Sequence, residues 1–414
     1  MRPFSLLIKP SGSDCNMECD YCFYKNRAFK VNSGHQQATT RTPLSRSFNY
    51  LTRREAMVFL GSSVLGCSLL PMEPSSYSQL DNIGVIGLGT MGGEIAAYLT
   101  QKESNVYGVD IAPEARQRAE KQGLNGVYAS IDELPVNLGT VIEAVPEDPL
   151  LKGLVLEQLS GHVSGNTYLA TISSTIPCSR YAERVFNPER LMNTHILPDL
   201  STRRFVELQG PGDYTKREKL EVMAHAFQEK GFAVAIVNGE SPGYIFNQIW
   251  HNVMFTMFDL MKEYSPKTIE YSCRDYFNMP YGGIMAMDLI GYDTLYRIFG
   301  QIKEQRGIPI PEIVVKMKKE KTYGLESGKG FFEYDHPDFE GFHQKAREFP
   351  KLYPGSADLE VGKRIWGIIK ESAKSLIEHG QDKDDVFMAV RYGFPIERKN
   401  LLEELDRVLE RKKS

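Results

Sequence analysis

This chain lacks a dominant charge, has few cysteines, and contains no apolar run long enough to cross a bilayer comfortably. Its 49 Lys and Arg against 53 Asp and Glu leave a formal net charge of −4. That balance argues against nucleic acid as the main partner. The apolar run from Ala56 to Leu70 is closed by Pro71, short of the roughly 20 residues a spanning helix needs. Six cysteines in 414 residues are too few for a disulfide framework in a chain of this size. What remains is ordinary for a soluble protein with a real core, 42% hydrophobic and 25% charged. The length leads us to expect two or three domains.

The texture changes twice before residue 80. Residues 1–30 hold Cys15, Cys19 and Cys22 in "CNMECDYCFY". Residues 31–80 read as a polar linker followed by Arg53–Arg54 and the apolar run, with an irregular N-terminal arm overall. From residue 81, strand-length apolar runs alternate with helical stretches: "NIGVIG", "NVYGVD", "GTVIEAV", "TYLATIS" and "AVAIV". This rhythm predicts an α/β fold, a Rossmann-type parallel sheet over residues 81–240. The strands then stop. Residues 241–334 read as an all-helical domain and 335–414 as a helical, charge-rich extension.

Gly87, Gly89 and Gly92 form a GxGxxG turn in "NIGVIGLGTMGGEIAAYL". It follows an apolar strand and opens an Ala-rich helix, which is the context that gives the motif meaning. Such a turn lets backbone approach a pyrophosphate at a helix N-terminus. Asp110 ends the second strand, where a carboxylate accepts from a ribose and repels a 2′-phosphate. That pairing favours NAD over NADP.

The reaction has to come from groups outside the glycine turn. His195 lies near a strand end, and Glu207 follows twelve residues on. A carboxylate there can hold the imidazole in one tautomer and stabilise its protonated form. Across residues 81–334 the chain resembles the NAD-dependent 3-hydroxyacyl-CoA dehydrogenases. The marks come in family order: "GVIGLGTMGGEIA", "VIEAVPE", "ISST", "RLMNTHILP", "FVELQG", "SPGYIFNQI" and "GLESGKGFFEY". The resemblance implies His195 as general base and Glu207 as its orienting partner. It implies a substrate hydrogen bond from Ser173, with Ser174 as the alternative, completed by Asn247. It also implies Glu143 near the cofactor, a role in fatty acid metabolism, and a homodimer, which the apolar helix after Asn247 also suggests. The sequence departs from the family in "HILPD" after the histidine, in Gln248, and in the short segment between Asp110 and Glu143. The long helical hairpin that usually helps hold coenzyme A is missing, so a smaller 3-hydroxy acid competes with the thioester as substrate. The 3-hydroxyisobutyrate class begins similarly, but its catalytic lysine has no counterpart in "GYIFNQIWHN".

The N-terminal arm resembles the cysteine motif of sulfatase-maturing radical S-adenosylmethionine enzymes, which implies a [4Fe–4S] cluster on Cys15, Cys19 and Cys22. The polar linker stands where the rest of such an enzyme should be. Residues 51–71 resemble a twin-arginine signal, which sets export against the cytoplasmic location expected of an NAD enzyme. Two other readings stand beside the dehydrogenase: a non-catalytic NAD- or partner-binding protein, and an iron–sulfur protein.

Overall fold

The computed structural model describes residues 78–410, apart from 213, 241–242, 337–338 and 395. The cysteine motif, Arg53–Arg54 and the apolar run lie outside the described residues. β1 (Asn82–Ile86), β2 (Asn105–Val109), β3 (Gly126–Tyr128), β4 (Thr140–Glu143), β5 (Tyr168–Thr171), β6 (Leu191–Ile196), β7 (Phe205–Gln209) and β8 (Ala233–Ile236) make one sheet. Their order is β3-β2-β1-β4-β5-β6-β7-β8. The chain steps outward from β1 to β3 and returns on the other side of β1 with β4. Such a reversal opens a crevice at the carboxyl ends of the strands, where ligands bind in folds of this kind.

The expected parallel sheet carries one antiparallel step near its far edge. β1 to β6 are joined by parallel pairings, but β7 runs antiparallel to β6 before β8 pairs parallel with β7. Only residues 197–204 separate β6 from β7. A parallel return needs a crossover of about a dozen residues or more, so this loop can only turn the chain back.

The Thr90–Gln101 helix buries Gly92, Ile95, Ala96 and Leu99, a helical stripe that faces the sheet. After β8 the described residues are helical apart from loops and isolated bridges. A single apolar core runs from Leu197 and Phe205 through Trp250 and Met254 to Ile365, Trp366 and Leu409. The C-terminal extension therefore shares its core with the helices before it.

The Leu359–Glu378 helix packs along the Phe246–Leu260 helix, with Asn252 Nδ2 donating to Ser372 Oγ at 3.0 Å. The apolar helix that suggested a second copy is thus covered by this chain's own residues. A homodimer then rests on the resemblance alone. The extension also closes the sheet edge at β8. Ile236 N–H donates to Asp385 Oδ1 at 2.8 Å, and Gln381 exchanges hydrogen bonds with both backbone groups of Asn238. An edge strand capped this way offers no template for pairing. Among the described residues no helix is long and apolar enough to cross a membrane.

Candidate functional site

Because β1, β2, β4, β5 and β6 are parallel, the motifs that end them meet at one edge of the sheet. The first is the glycine turn. Gly87 has φ +90°, and a Cβ there would lie 2.7 Å from the Ala144 carbonyl. A Cβ on Gly92 would come within 1.8 Å of the Gly87 carbonyl, so only glycine lets the helix start this close to the strand. A Cβ on Gly89 would meet nothing within 4 Å, and Gly89 and Thr90 are exposed. That open face at a helix N-terminus fits the pyrophosphate of a dinucleotide. Asp110, at the end of β2, accepts from Leu88 N–H at 2.6 Å and from Ala112 N–H at 2.7 Å. One carboxylate thus braces the glycine turn from the end of the neighbouring strand. The donor set fits NAD.

β4 ends in Glu143, which the resemblance places near the cofactor. Its side chain is fully buried, and both oxygens are engaged within the protein. They accept from Val145 N–H at 2.7 Å, Thr171 Oγ1 at 2.7 Å, and Lys152 Nζ at 3.0 and 3.2 Å. Burial raises its pKa, and the Lys152 charge opposes that. Glu143 is a buried strut at the end of β4, its carboxylate committed to partners within the protein.

The exposed end of this segment is Glu147. Its Oε1 accepts from the Ser173 hydroxyl at 2.7 Å, from the backbone N–H groups of Ser174 and Thr175 at 3.1 Å each, and from Thr175 Oγ1 at 3.0 Å. The carboxylate organises the "ISST" segment after β5. Ser173 is fully buried and also accepts from Ile176 N–H, whereas Ser174 is half-buried.

His195 and Glu207 face each other directly in the antiparallel β6–β7 register, so their side chains leave the same face. His195 Nδ1 lies 2.7 Å from Glu207 Oε2, with the ring almost buried. The other oxygen of Glu207 accepts from Ile245 and Phe246 N–H at 2.9 and 2.8 Å. These donors belong to the first turn of the helical domain, so the carboxylate ties that domain to the sheet. Asn247 Nδ2 stands 3.3 Å from His195 Nε2. With Asn247 donating, Nε2 is the accepting nitrogen and the ring proton sits on Nδ1. That is the tautomer a general base requires.

Tyr244 stacks on His195, with ring centroids 4.5 Å apart and planes 5° from parallel. Its hydroxyl donates to the Ser173 carbonyl at 2.5 Å.

The loop after the histidine, read as the departure "HILPD", is held by Asp199. Burial pushes its carboxyl up, but hydrogen bonds from Ser201 and Thr202 and the neighbouring His343 bring the net shift below the usual range. Tyr281 donates to it at 3.1 Å, and His343, from the C-terminal extension, lies 3.0 Å away. The carboxylate of Glu94, from the nucleotide helix, accepts from Leu200 N–H at 2.7 Å. This loop is therefore pinned from three directions.

His195 touches both Glu207 and Asn247, Ser173 is linked to His195 through Tyr244, and Glu143 is buried at the end of β4 against Lys152, Thr171 and Val145. Lys152, Glu147, Tyr244 and Asp199 were not foreseen. The "VIEAVPEDPLLK" stretch held the only signal for the first two, a carboxylate–carboxylate–lysine run at a strand end. Among the described residues no group of His, Cys, Asp or Glu is placed to hold a metal. Cys15, Cys19 and Cys22 lie outside them.

Residues 82–132 and 126–239 match the family model described as 3-hydroxyacyl-CoA dehydrogenase, NAD binding domain. Residues 243–334 match the C-terminal domain of the same family. Among solved structures, 3-hydroxybutyryl-CoA dehydrogenase from Escherichia coli is 17% identical with a TM-score of 0.63, over 80% of this chain and 93% of that one. (S)-3-hydroxybutyryl-CoA dehydrogenase from Ralstonia eutropha is 24% identical with a TM-score of 0.54, over 62% and 99%. A third is a 5-formyl-3-hydroxy-2-methylpyridine 4-carboxylic acid 5-dehydrogenase, described as an NAD+-dependent dismutase. It is 21% identical with a TM-score of 0.52, over 67% and 99%. At these identities the structures speak for the fold, and the two family matches, in order along one chain, speak for descent. The chain belongs to the 3-hydroxyacyl-CoA dehydrogenase family and is an NAD-dependent oxidoreductase.

Proposed function

We propose that the protein oxidises the 3-hydroxyl of a 3-hydroxyacyl substrate to the 3-oxo product, with His195 as general base. The observation that carries this reading is the 2.7 Å contact from His195 Nδ1 to Glu207 Oε2, which leaves Nε2 free to accept. A substrate hydroxyl takes the place of the Asn247 amide at Nε2 and gives up its proton there. Glu207 then faces an imidazolium and stabilises it. NAD, when bound, supplies the hydride acceptor. Asn247 and the hydroxyl of Ser173, released from Glu147, donate to the oxygen as it becomes a carbonyl.

Asp110 selects NAD, and Ile111, 82% exposed beside it, offers apolar surface to the adenine. Asp110→Ala should raise the Kd for NAD by roughly 10-fold or more, the scale of a lost hydrogen bond to a charged group. The Kd for NADP should change less. Titration of both cofactors checks this, and an unaltered preference removes the assignment.

The substrate is a 3-hydroxyacyl-CoA or a related free 3-hydroxy acid. The family favours the thioester. The small acid is favoured by the segment between Asp110 and Glu143, which holds only the Pro113–Lys121 helix, the three-residue β3 and one 3₁₀ turn. The pyridine carboxylic acid named for one structural neighbour is also a substrate without coenzyme A in its name. NADH formation across a panel of CoA-linked and free 3-hydroxy acids tests the proposal. Turnover on neither set, with NAD still bound, would leave a non-catalytic NAD-binding protein.

A further inference from the structure

The reading of His195 as base leaves the ring itself underdetermined. A single hydrogen bond at Nδ1 fixes one point of an imidazole, and the ring can still swing about the line to Glu207. Asn247, at 3.3 Å from Nε2, is the contact a substrate displaces, so it cannot hold the ring during the reaction. The group that removes the swing is Tyr244. It lies flat on the imidazole, 4.5 Å away and 5° from parallel, and is only 2% exposed.

Tyr244 is itself held at both ends. Its hydroxyl donates to the Ser173 carbonyl, and its own carbonyl accepts from the Gln248 side-chain amide. Its backbone sits at φ +54°, in the left-handed region that a bulky aromatic residue rarely occupies. The very next N–H groups, those of Ile245 and Phe246, are the ones that hold Glu207. Relaxing Tyr244 to an ordinary conformation would redirect those donors. Strain of this kind persists where the surroundings over-determine it, and such places cluster at working sites.

We propose that Tyr244 is a positioning residue for the reaction, its ring fixing the plane of His195 and its hydroxyl fixing the main chain that carries Ser173. Base and serine are thereby registered to each other through one rigid side chain, although they end different strands. Burial keeps the tyrosine protonated by pushing its pKa well above the usual value, so it stays a donor across the working range of pH. The stack also has a chemical consequence. When His195 accepts the hydroxyl proton, its positive charge develops over the face of an aromatic ring, and cations are favoured there. That interaction strengthens in the transition state and belongs in kcat rather than in KM.

A tyrosine that merely filled the core would behave differently. Its loss would lower stability, and any loss of activity would follow the folded fraction. This proposal rests on His195 being the base, so His195→Gln is the control arm. In Tyr244→Phe the ring remains and the clamp on Ser173 is lost. We expect kcat about 5- to 10-fold lower, the scale of one lost hydrogen bond. KM, NAD affinity and the thermal midpoint should stay near wild type. In Tyr244→Met the stack goes as well, and kcat should fall about 100-fold, the scale of a misaligned catalytic group.

A Phe variant at wild-type kcat overturns the proposal. So does a folded Met variant whose loss lies in KM alone, and if the Met variant fails to fold the Phe variant decides. Activity surviving in His195→Gln would instead bring down the base assignment, and this inference with it.

Discussion

His195→Gln should bind NAD as tightly as the wild type and form NADH at least about 10³-fold more slowly, within the 10²- to 10⁴-fold range of general base catalysis. Glutamine fills similar space and keeps a polar end near Glu207, so the fold has no reason to fail. It cannot take up a proton at neutral pH. The nucleotide contacts we propose lie elsewhere, at the ends of β1 and β2, so the two readouts separate. Initial rates with the best substrate from the panel, beside a titration of NAD, make the measurement. A variant within tenfold of wild type would end the assignment of the base.

Glu207→Gln carries the same argument one step further. The oxygen that accepts from Ile245 and Phe246 N–H is held by two donors, so a glutamine there keeps its carbonyl toward them. Its amide nitrogen then faces His195 Nδ1 and donates to it. The ring proton moves to Nε2, and the nitrogen that should accept from the substrate becomes a donor. The protein keeps its geometry and holds the wrong tautomer, and the rate should fall nearly as far as in His195→Gln. Crippled turnover in an otherwise native protein is the expected mark of that inversion.

The parts of this site that depend on local pattern were legible in the sequence. The glycine turn stands between an apolar strand and an Ala-rich helix, and Asp110 ends the next apolar run. β6 and β7 were harder to read. "LMNTHI" is buried along its whole length, yet Asn193, Thr194 and His195 break the apolar run that marks an interior strand. β3 is three residues long and half-buried, too short for any pattern to show.

The pairing that matters most, His195 opposite Glu207, comes from the short loop between β6 and β7 and from register, which no propensity encodes. Tyr244 shows a second limit. A tyrosine before a helix suggests apolar packing, and nothing in "SPGYIFN" marks a left-handed backbone or a stack on a histidine. The apolar helix after Asn247 shows a third limit, because periodicity reveals a face to be covered and not what covers it.

Lys152 was missed because lysines are almost never fully buried, and in "PLLKGLVLEQL" it reads as a solvated position. It is 1% exposed, beside a fully buried Glu143. Its ammonium group contacts both oxygens of Glu143, the Val145 carbonyl at 3.1 Å, and Glu147 at 3.5 Å. Lys152→Met keeps most of the volume and removes the charge, which strands the Glu143 carboxylate in a dry interior. Losing one partner of a buried ion pair costs about 3–5 kcal/mol, the largest stability effect we expect from a single substitution in the nucleotide-binding half.

The dependence on pH has a definite sign. Burial already raises the Glu143 pKa, and the lysine is the main opposing influence. Without it the folded-state pKa rises further. A group raised in the folded state contributes stability below its unfolded pKa and loses it as pH climbs through the folded value. The deficit of Lys152→Met should therefore shrink in mild acid and widen toward neutrality, once the wild-type curve is subtracted. Adding Glu143→Gln removes the stranded charge and should recover much of the loss at neutral pH. Chemical denaturation of the two single variants and the double variant at pH 5 and pH 8 makes the comparison. A Lys152→Met protein as stable as wild type at both pH values would mean that Glu143 has another counter-charge. Because the same ammonium also steadies Glu147, which holds the Ser173 hydroxyl, a folded Lys152→Met protein should lose turnover as well. Glu143→Gln alone, with Lys152 still reaching Glu147, should keep far more of it.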